Sequence, residues 1–412
     1  MTTNNGIAVV VNPDSWVSAV AVNLWYGVGS VNEPESKTGF AHLFEHLMFS
    51  GSSQVASGEH LALLQAIGAN VNATTSHDRT NYFETVPKTG LELALWLEAD
   101  RLSSLLDSVN QTNLDTQREV VKEEKRLRYD NVPYGDAFEL IMQMVFPAHH
   151  PYAHTPIGSM TDLDAASLAD VHGFFNQYYR PNNLVLTMSG AVAPDEGFAL
   201  VDKYFSQIPA TDQGGLLALD CLGPLLGDIH LDTRAEVPQD VIYCCWRVPP
   251  ITDLAYDHFR LGLSILSGSI SSRLHQGLVR TGLADSVDTF DMGLKYGNSV
   301  IVATLPCAQS VSPEAVEEAM NGIWEEFCQS GPSQTEMRRA KKAEERDFFS
   351  ELSSIEDRAD QISAAWSLFG DPESINQHLD KVRSLIAEDV AASFSTWVHP
   401  DNRAVLTYRS TS

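Results

Sequence analysis

His42-Leu43-Phe44-Glu45-His46 is the stretch on which the reading of this chain turns. At about 100° per residue, a helix sets His42 and His46 about 40° apart and puts Glu45 about 60° to the other side of His42. All three side chains then share one face. Two neutral imidazoles suit a tetrahedral Zn²⁺, and a catalytic zinc keeps three protein ligands plus a water whose pKa it lowers to about 7. Glu45 is the group placed to take that water's proton, in an order that inverts the commoner His-Glu-x-x-His. The plain alternative is an amphipathic helix with structural histidines along its edge. The flank weighs against it. Phe40, Leu43, Phe44, Leu47, Met48 and Phe49 make the helix largely apolar, so the polar trio needs partners, and a metal is the simplest.

The third ligand is sought in Gln117-Arg118-Glu119-Val120-Val121-Lys122-Glu123-Glu124-Lys125-Arg126-Leu127-Arg128, a helical stretch with two adjacent acids. Three and four positions either side of Glu124 stand Val120, Val121, Leu127 and Arg128. Around Glu123 stand Glu119, Val120, Arg126 and Leu127. Glu124 is therefore expected on the core side and Glu123 on a salt-bridged surface.

With these residues in view, the chain resembles the M16 peptidases, the inverted-zinc family that includes pitrilysin, insulin-degrading enzyme and the mitochondrial processing peptidase. The resemblance spans nearly the whole length. It rests on Gly39-Phe40-Ala41-His42-Leu43-Phe44-Glu45-His46-Leu47-Met48-Phe49, followed by Glu124 at a spacing similar to the family's. It implies His42, His46 and Glu124 as ligands of one Zn²⁺ per chain and Glu45 as the base, in agreement with the face argument. Asn72-Ala73-Thr74 and Thr80-Asn81-Tyr82-Phe83 look like the family's edge strand and its neighbour, where a substrate peptide is bound as an added strand. Without the family, Val71 to Val86 reads as a polar β-hairpin turning near Ser76-His77-Asp78, with His77 a turn residue. His149-His150-Pro151-Tyr152 and Tyr178-Tyr179-Arg180-Pro181-Asn182-Asn183 also match recurring stretches and read as scaffold.

The departures carry information too. Many members have a second glutamate two helical turns before the zinc glutamate, where this chain has Gln117, which hydrogen-bonds but carries no charge. In the second half, Gly268 to Leu274 and Gly282 to Val287 resemble the family's second domain. Members that hold substrate from this domain show an arginine and, seven residues on, a tyrosine; the corresponding positions here are Leu278 and Asp285. The expectation is a heterodimer with a second M16-like subunit that supplies the arginine and tyrosine, with a homodimer as the other arrangement.

A chain of 412 residues suits two domains of about 200. Strands near Ile7 to Val11 and Val17 to Tyr26 precede the His42 helix, and helices are read at Leu61 to Ile67, Leu91 to Leu105 and Thr112 to Arg128. A strand follows at Leu184 to Gly190. Pro209 to Gly227 breaks the periodicity. After it the order recurs, with a strand at Val241 to Val248, a helix at His258 to Leu266 without ligands, a strand at Val300 to Leu305, and helices at Pro313 to Cys328 and Gln334 to Leu352. The expected fold is α+β: two homologous domains, each a mainly antiparallel sheet packed with helices, forming by resemblance half of a clamshell chamber. Residues 1–212 form the zinc-binding domain, 213–227 the linker, and 228–412 a domain without metal.

The 27 basic and 54 acidic residues give a formal charge of −27, which argues against nucleic acid and anionic membranes as partners. No run of 18 apolar residues appears, and Met1-Thr2-Thr3-Asn4-Asn5 has neither a basic end nor an apolar stretch, so a soluble cytoplasmic protein is expected. Cys221, Cys244, Cys245, Cys307 and Cys328 are odd in number and lack Cys-x-x-Cys spacing, as befits reduced structural thiols. The function expected is a zinc endopeptidase acting on peptides or unfolded and precursor segments. A non-catalytic assembly subunit of the same fold is the alternative, and degenerate zinc positions are what it predicts. A zinc hydrolase of non-peptide substrates fits the edge strand poorly, since strand addition needs a peptide backbone.

Overall fold

The computed structural model describes residues 1–210 and 217–411. Residues 211–216, and with them the expected domain boundary at 212 and the first four linker residues, lie outside the described residues; residues 217–227 form neither helix nor strand. The chain folds into two compact units that do not follow chain order. One holds residues 1–126, 154–210 and 349–376; the other holds 127–153, 217–348 and 377–411.

In the first unit, strands β1 (Ala8–Pro13), β2 (Ala19–Tyr26), β3 (Asn70–Thr75), β4 (Thr80–Pro87) and β5 (Leu184–Gly190) form a sheet in the order β1-β5-β2-β4-β3. The β1–β5 pair is parallel and the rest antiparallel. Seven of the eight residues of β2 are buried, the continuous apolar run of a strand covered on both faces. The helix Ile355–Phe369 supplies one cover by packing on β5 and β2. At the far edge, β3 reads Asn-Val-Asn-Ala-Thr-Thr and pairs only with β4 among the described residues, a polar strand with no second strand on its outer side. Helix α1 (Phe40–Leu47) buries Phe40, Ala41, Leu43, Phe44 and Leu47 and packs against β3. Helices α2 (Glu59–Ala66), α3 (Leu91–Ser108) and α4 (Gln111–Lys125) follow, α4 lying against α1.

In the second unit, β6 (Ile229–Ala235), β7 (Val241–Val248), β8 (Asp288–Met292), β9 (Ser299–Pro306) and β10 (Ala404–Ser410) form a sheet in the order β6-β10-β7-β9-β8, with β6–β10 parallel and the rest antiparallel. Strand for strand this repeats the first sheet. The helix Tyr256–Leu266 follows β7 as α1 follows β2. The core here is apolar, centred on Trp246 stacked on Trp324 with ring centroids 4.5 Å apart. Both units are thus sheet-plus-helix bodies of the α+β class. Among the described residues, no helix is long and apolar enough to cross a membrane.

Candidate metal centre

Helix α1 starts where it does because of three residues. Gly39 sits at φ +92°, in the left-handed region that favours glycine, and a Cβ there would meet the Ile157 carbonyl at 2.9 Å. The N–H groups of Gly39 and Ala41 donate to the buried Glu33 carboxylate at 2.9 and 2.7 Å, so a negative charge meets the positive end of the helix. Burial pushes the Glu33 carboxyl up, against the His154 ring at 2.9 Å and the two N–H bonds, which hold it down.

From this anchored start, His42 and His46 project from one side of α1 toward Glu124 on α4. Nε2 of His42 lies 3.6 Å and Nε2 of His46 3.3 Å from Oε2 of Glu124, and the three ligand atoms lie within 4.8 Å of one another. Their side chains are 12, 22 and 18% exposed, so the cluster is sheltered yet reachable. Tetrahedral zinc with bonds of about 2.0–2.1 Å requires donors about 3.3–3.4 Å apart. The two measured His–Glu separations bracket that value, and the donors are the nitrogen and oxygen types zinc takes, so the residues fit the ion. Glu123 is turned away, its carboxylate 3.0 Å from Arg126 on the surface.

Glu45 accepts a hydrogen bond from the Thr75 hydroxyl at 2.6 Å. Burial pushes its carboxyl up; the Thr75 bond, His46 and Arg79 pull it back, while Glu124 adds to the rise. Thr75 belongs to β3, and so do Asn72, Ala73 and Thr74, paired with Phe83, Tyr82 and Asn81 of β4. The Ala73 N–H is held by the Asn72 side chain at 2.9 Å. On the other face, the Arg79 guanidinium lies over Trp25 and donates to the Thr74 carbonyl and to Asn81, both at 2.9 Å, and also to the Thr74 hydroxyl. Asn81 and Asn23 donate to Asp360 of the helix Ile355–Phe369 at 2.9 and 3.3 Å. The hairpin that carries β3 is also pinned at its turn, where the N–H groups of Ser30 and Val31 donate to the carbonyls of Ser76 and His77. His77 is a turn residue, as read, but a buried one, bonded to the His154 carbonyl at 3.2 Å.

In the second unit Leu278 lies wholly within the core, and Asp285 accepts a hydrogen bond from Gln239 at 3.3 Å. The histidine of the helix Tyr256–Leu266, His258, is engaged by Ser393 at 2.7 Å. Glu33, Thr75, Arg79 and Asp360 have no signature in the sequence. Thr75 stands 30 positions from Glu45, and Asp360 stands 279 and 337 positions from Asn81 and Asn23, so only the fold brings these together.

The chain is similar to known zinc proteases over most of its length. A profile described as Insulinase (Peptidase family M16) matches residues 8–140, and one described as Peptidase M16 inactive domain matches residues 165–344. Zinc protease PqqE of Helicobacter pylori is 29% identical over 368 residues, which span 87% of this chain and 81% of that protein. The Uncharacterized zinc protease ML0855 of Mycobacterium leprae is 30% identical over 336 residues, spanning 78% and 74%. A crystal structure of a protease from Helicobacter pylori matches with a TM-score of 0.92 at 25% identity, covering 99% of this chain and 98% of that one.

Proposed function

Because the chain belongs to the M16 family of zinc metallopeptidases, we propose that it is a zinc-dependent endopeptidase hydrolysing peptides and unfolded or precursor segments. The observation that carries this reading is the convergence of His42, His46 and Glu124 at zinc-compatible separations beside Glu45 and an open strand edge. His42, His46 and Glu124 hold one Zn²⁺ per chain, which when bound supplies a Lewis acid and lowers the pKa of water toward neutrality. Glu45 accepts the attacking water's proton on a carboxylate oxygen and returns it to the leaving amine. Asn72, Ala73 and Thr74 line the edge that holds the substrate as an added antiparallel strand, where main-chain hydrogen bonds at the outward-facing positions give affinity and side-chain pockets give preference.

Residues 1–212 carry the chemistry in this reading, and residues 228–412, reached through a linker at 213–227, form a homologous half without metal; the repeated strand order supports that division. Leu278 and Asp285 cannot supply the arginine and tyrosine contacts, so a second M16-like subunit supplies them in a heterodimer. The unpaired thiols of all five cysteines favour a cytoplasmic setting.

The test is zinc content together with cleavage of a quenched peptide library, for the wild type and Glu45→Gln. Zinc near one per chain in both, with chelator-sensitive cleavage in the wild type only, is the expected result. The other reading, a non-catalytic assembly subunit, is favoured by Leu278 and Asp285 alone; it requires that the wild type stay inactive even with its partner subunit present.

A further inference from the structure

We propose that Thr75 is the positioning residue of the general base, and that it links the orientation of Glu45 to occupation of the substrate edge. This rests on the reading of Glu45 as the base. The Thr75 hydroxyl has one proton to give and gives it to Oε2 of Glu45 at 2.6 Å, leaving Oε1 as the oxygen free to take a proton from water. A β-branched side chain on a strand has a restricted χ1, so the direction of that hydroxyl is set by the backbone of β3.

The backbone of Thr75 is itself at the open edge. Side chains alternate along a strand, so Ala73 and Thr75 share the face that packs on α1, and Thr74 turns to the face where Arg79 and Asn81 hold it. Hydrogen-bonded and non-bonded pairs also alternate along an antiparallel ladder. The Ser76 N–H donates to the Arg79 carbonyl at 2.8 Å, which makes 76/79 a bonded pair; 74/81 is therefore bonded, while 75/80 and 73/82 are not. Ala73 and Thr75 thus direct their N–H and C=O groups away from β4. The Ala73 N–H agrees, being taken by the Asn72 side chain instead of β4. An extended peptide that pairs with this edge fixes the residue whose hydroxyl fixes Glu45. The bond is made with β3 paired to β4 alone, so an added strand would steady an alignment of the base that β3 already gives.

The test compares Thr75→Val, which keeps the shape and removes the donor, with Thr75→Ser, which keeps the donor, in the full chain with Glu45→Gln as reference. Thr75→Val is expected to keep wild-type zinc content and a KM within about twofold while kcat falls about tenfold to a hundredfold, a fraction of the roughly 10²–10⁴-fold that a positioned base contributes; Thr75→Ser stays within about threefold. Independently of turnover, the infrared difference between wild type and Glu45→Gln isolates the Glu45 carboxylate band. That band shifts in Thr75→Val and not in Thr75→Ser. A wild-type kcat or an unshifted band in Thr75→Val overturns the proposal, as do equal losses in both variants, which would assign the effect to packing. Turnover retained in Glu45→Gln overturns the base reading instead, and the infrared comparison still reports the bond.

Discussion

The two sheets of this chain have the same strand order and opposite interiors. The second is built on Trp246, Trp324, Phe259, Phe327 and Phe394, with few ionisable groups wholly buried. The first buries Glu33, His60, His77, Glu84, Glu98 and Arg101. Arg101 donates to Glu98 at 2.9 and 2.6 Å and lies over the rings of Tyr82 and Phe49. Burial works to raise the Glu98 carboxyl, but Arg101 and His60 together outweigh it and hold the group low, while Glu84, buried beside this pair, is pushed well above the usual carboxylate range. Desolvating such groups costs several kcal/mol each unless partners offset it. A shared topology therefore did not require shared chemistry. The sheet is a scaffold that tolerates either interior, and the unit that orients the candidate metal ligands is the one that carries the electrostatic burden.

That contrast can be broken, starting with the largest effect. Glu45→Gln should lower turnover by about 10⁴-fold with zinc retained, while His258→Gln, on the corresponding helix of the second unit, should leave kcat/KM unchanged. Steady-state kinetics on both variants decide whether chemistry is confined to the first unit. Arg101→Met strands Glu98 in the core and should cost about 3–5 kcal/mol in chemical denaturation; a loss below about 1 kcal/mol would mean the buried ions are not the burden described here. Glu124→Gln should weaken zinc binding about a hundredfold in a competition titration, with Glu123→Gln at the wild-type value.

The smallest effect is on pH. Burial pushes His77 down to about 4; His154 lowers it further, and the bond to the His154 carbonyl opposes this. Between pH 6.5 and 4 the unfolded chain binds a proton at this site that the folded chain does not, so stability falls as pH falls through that window, by about 2 kcal/mol from pH 7 to pH 5. In the second unit, the Arg273 partnership holds Glu336 at about 2. Its contribution is complete above about pH 4.5 and is lost only as pH drops toward 2. Denaturation midpoints should therefore decline from pH 6.5 downward in the wild type and less steeply in His77→Gln. Equal slopes would remove His77 from the account.

Local pattern was enough for much of this. The strands at Leu184 to Gly190 and Val241 to Val248 were legible to the residue, because both are buried apolar runs bounded by turns. Glu124 reached the histidines for a reason that differs in part from the one read. Val120 and Leu127, taken as its apolar neighbours, are 43 and 62% exposed, and α4 docks instead through Leu114 and Val121, one heptad apart. The helix read through Arg128 gives way after Lys125 to a wider turn at Arg126–Asp130. Strands β6, β8 and β10 went unread; β6 is mostly exposed and β8 exposed to half-buried, and both mix polar with apolar residues without a buried apolar run. Glu33, Thr75, Arg79 and Asp360 act through partners that pattern and spacing do not name.

The helix Ile355–Phe369 covers β2 and β5, strands that are complete by residue 190. During synthesis, at about 5–20 residues per second, the first sheet waits roughly ten seconds or more for this cover to emerge. Until then an apolar sheet face and the carboxamides of Asn23 and Asn81 stand without Asp360. Messages cut short before codon 355 would release a polypeptide with His42, His46 and Glu124, the candidate metal ligands, all present and its sheet still open, a species suited to chaperone capture or proteolysis.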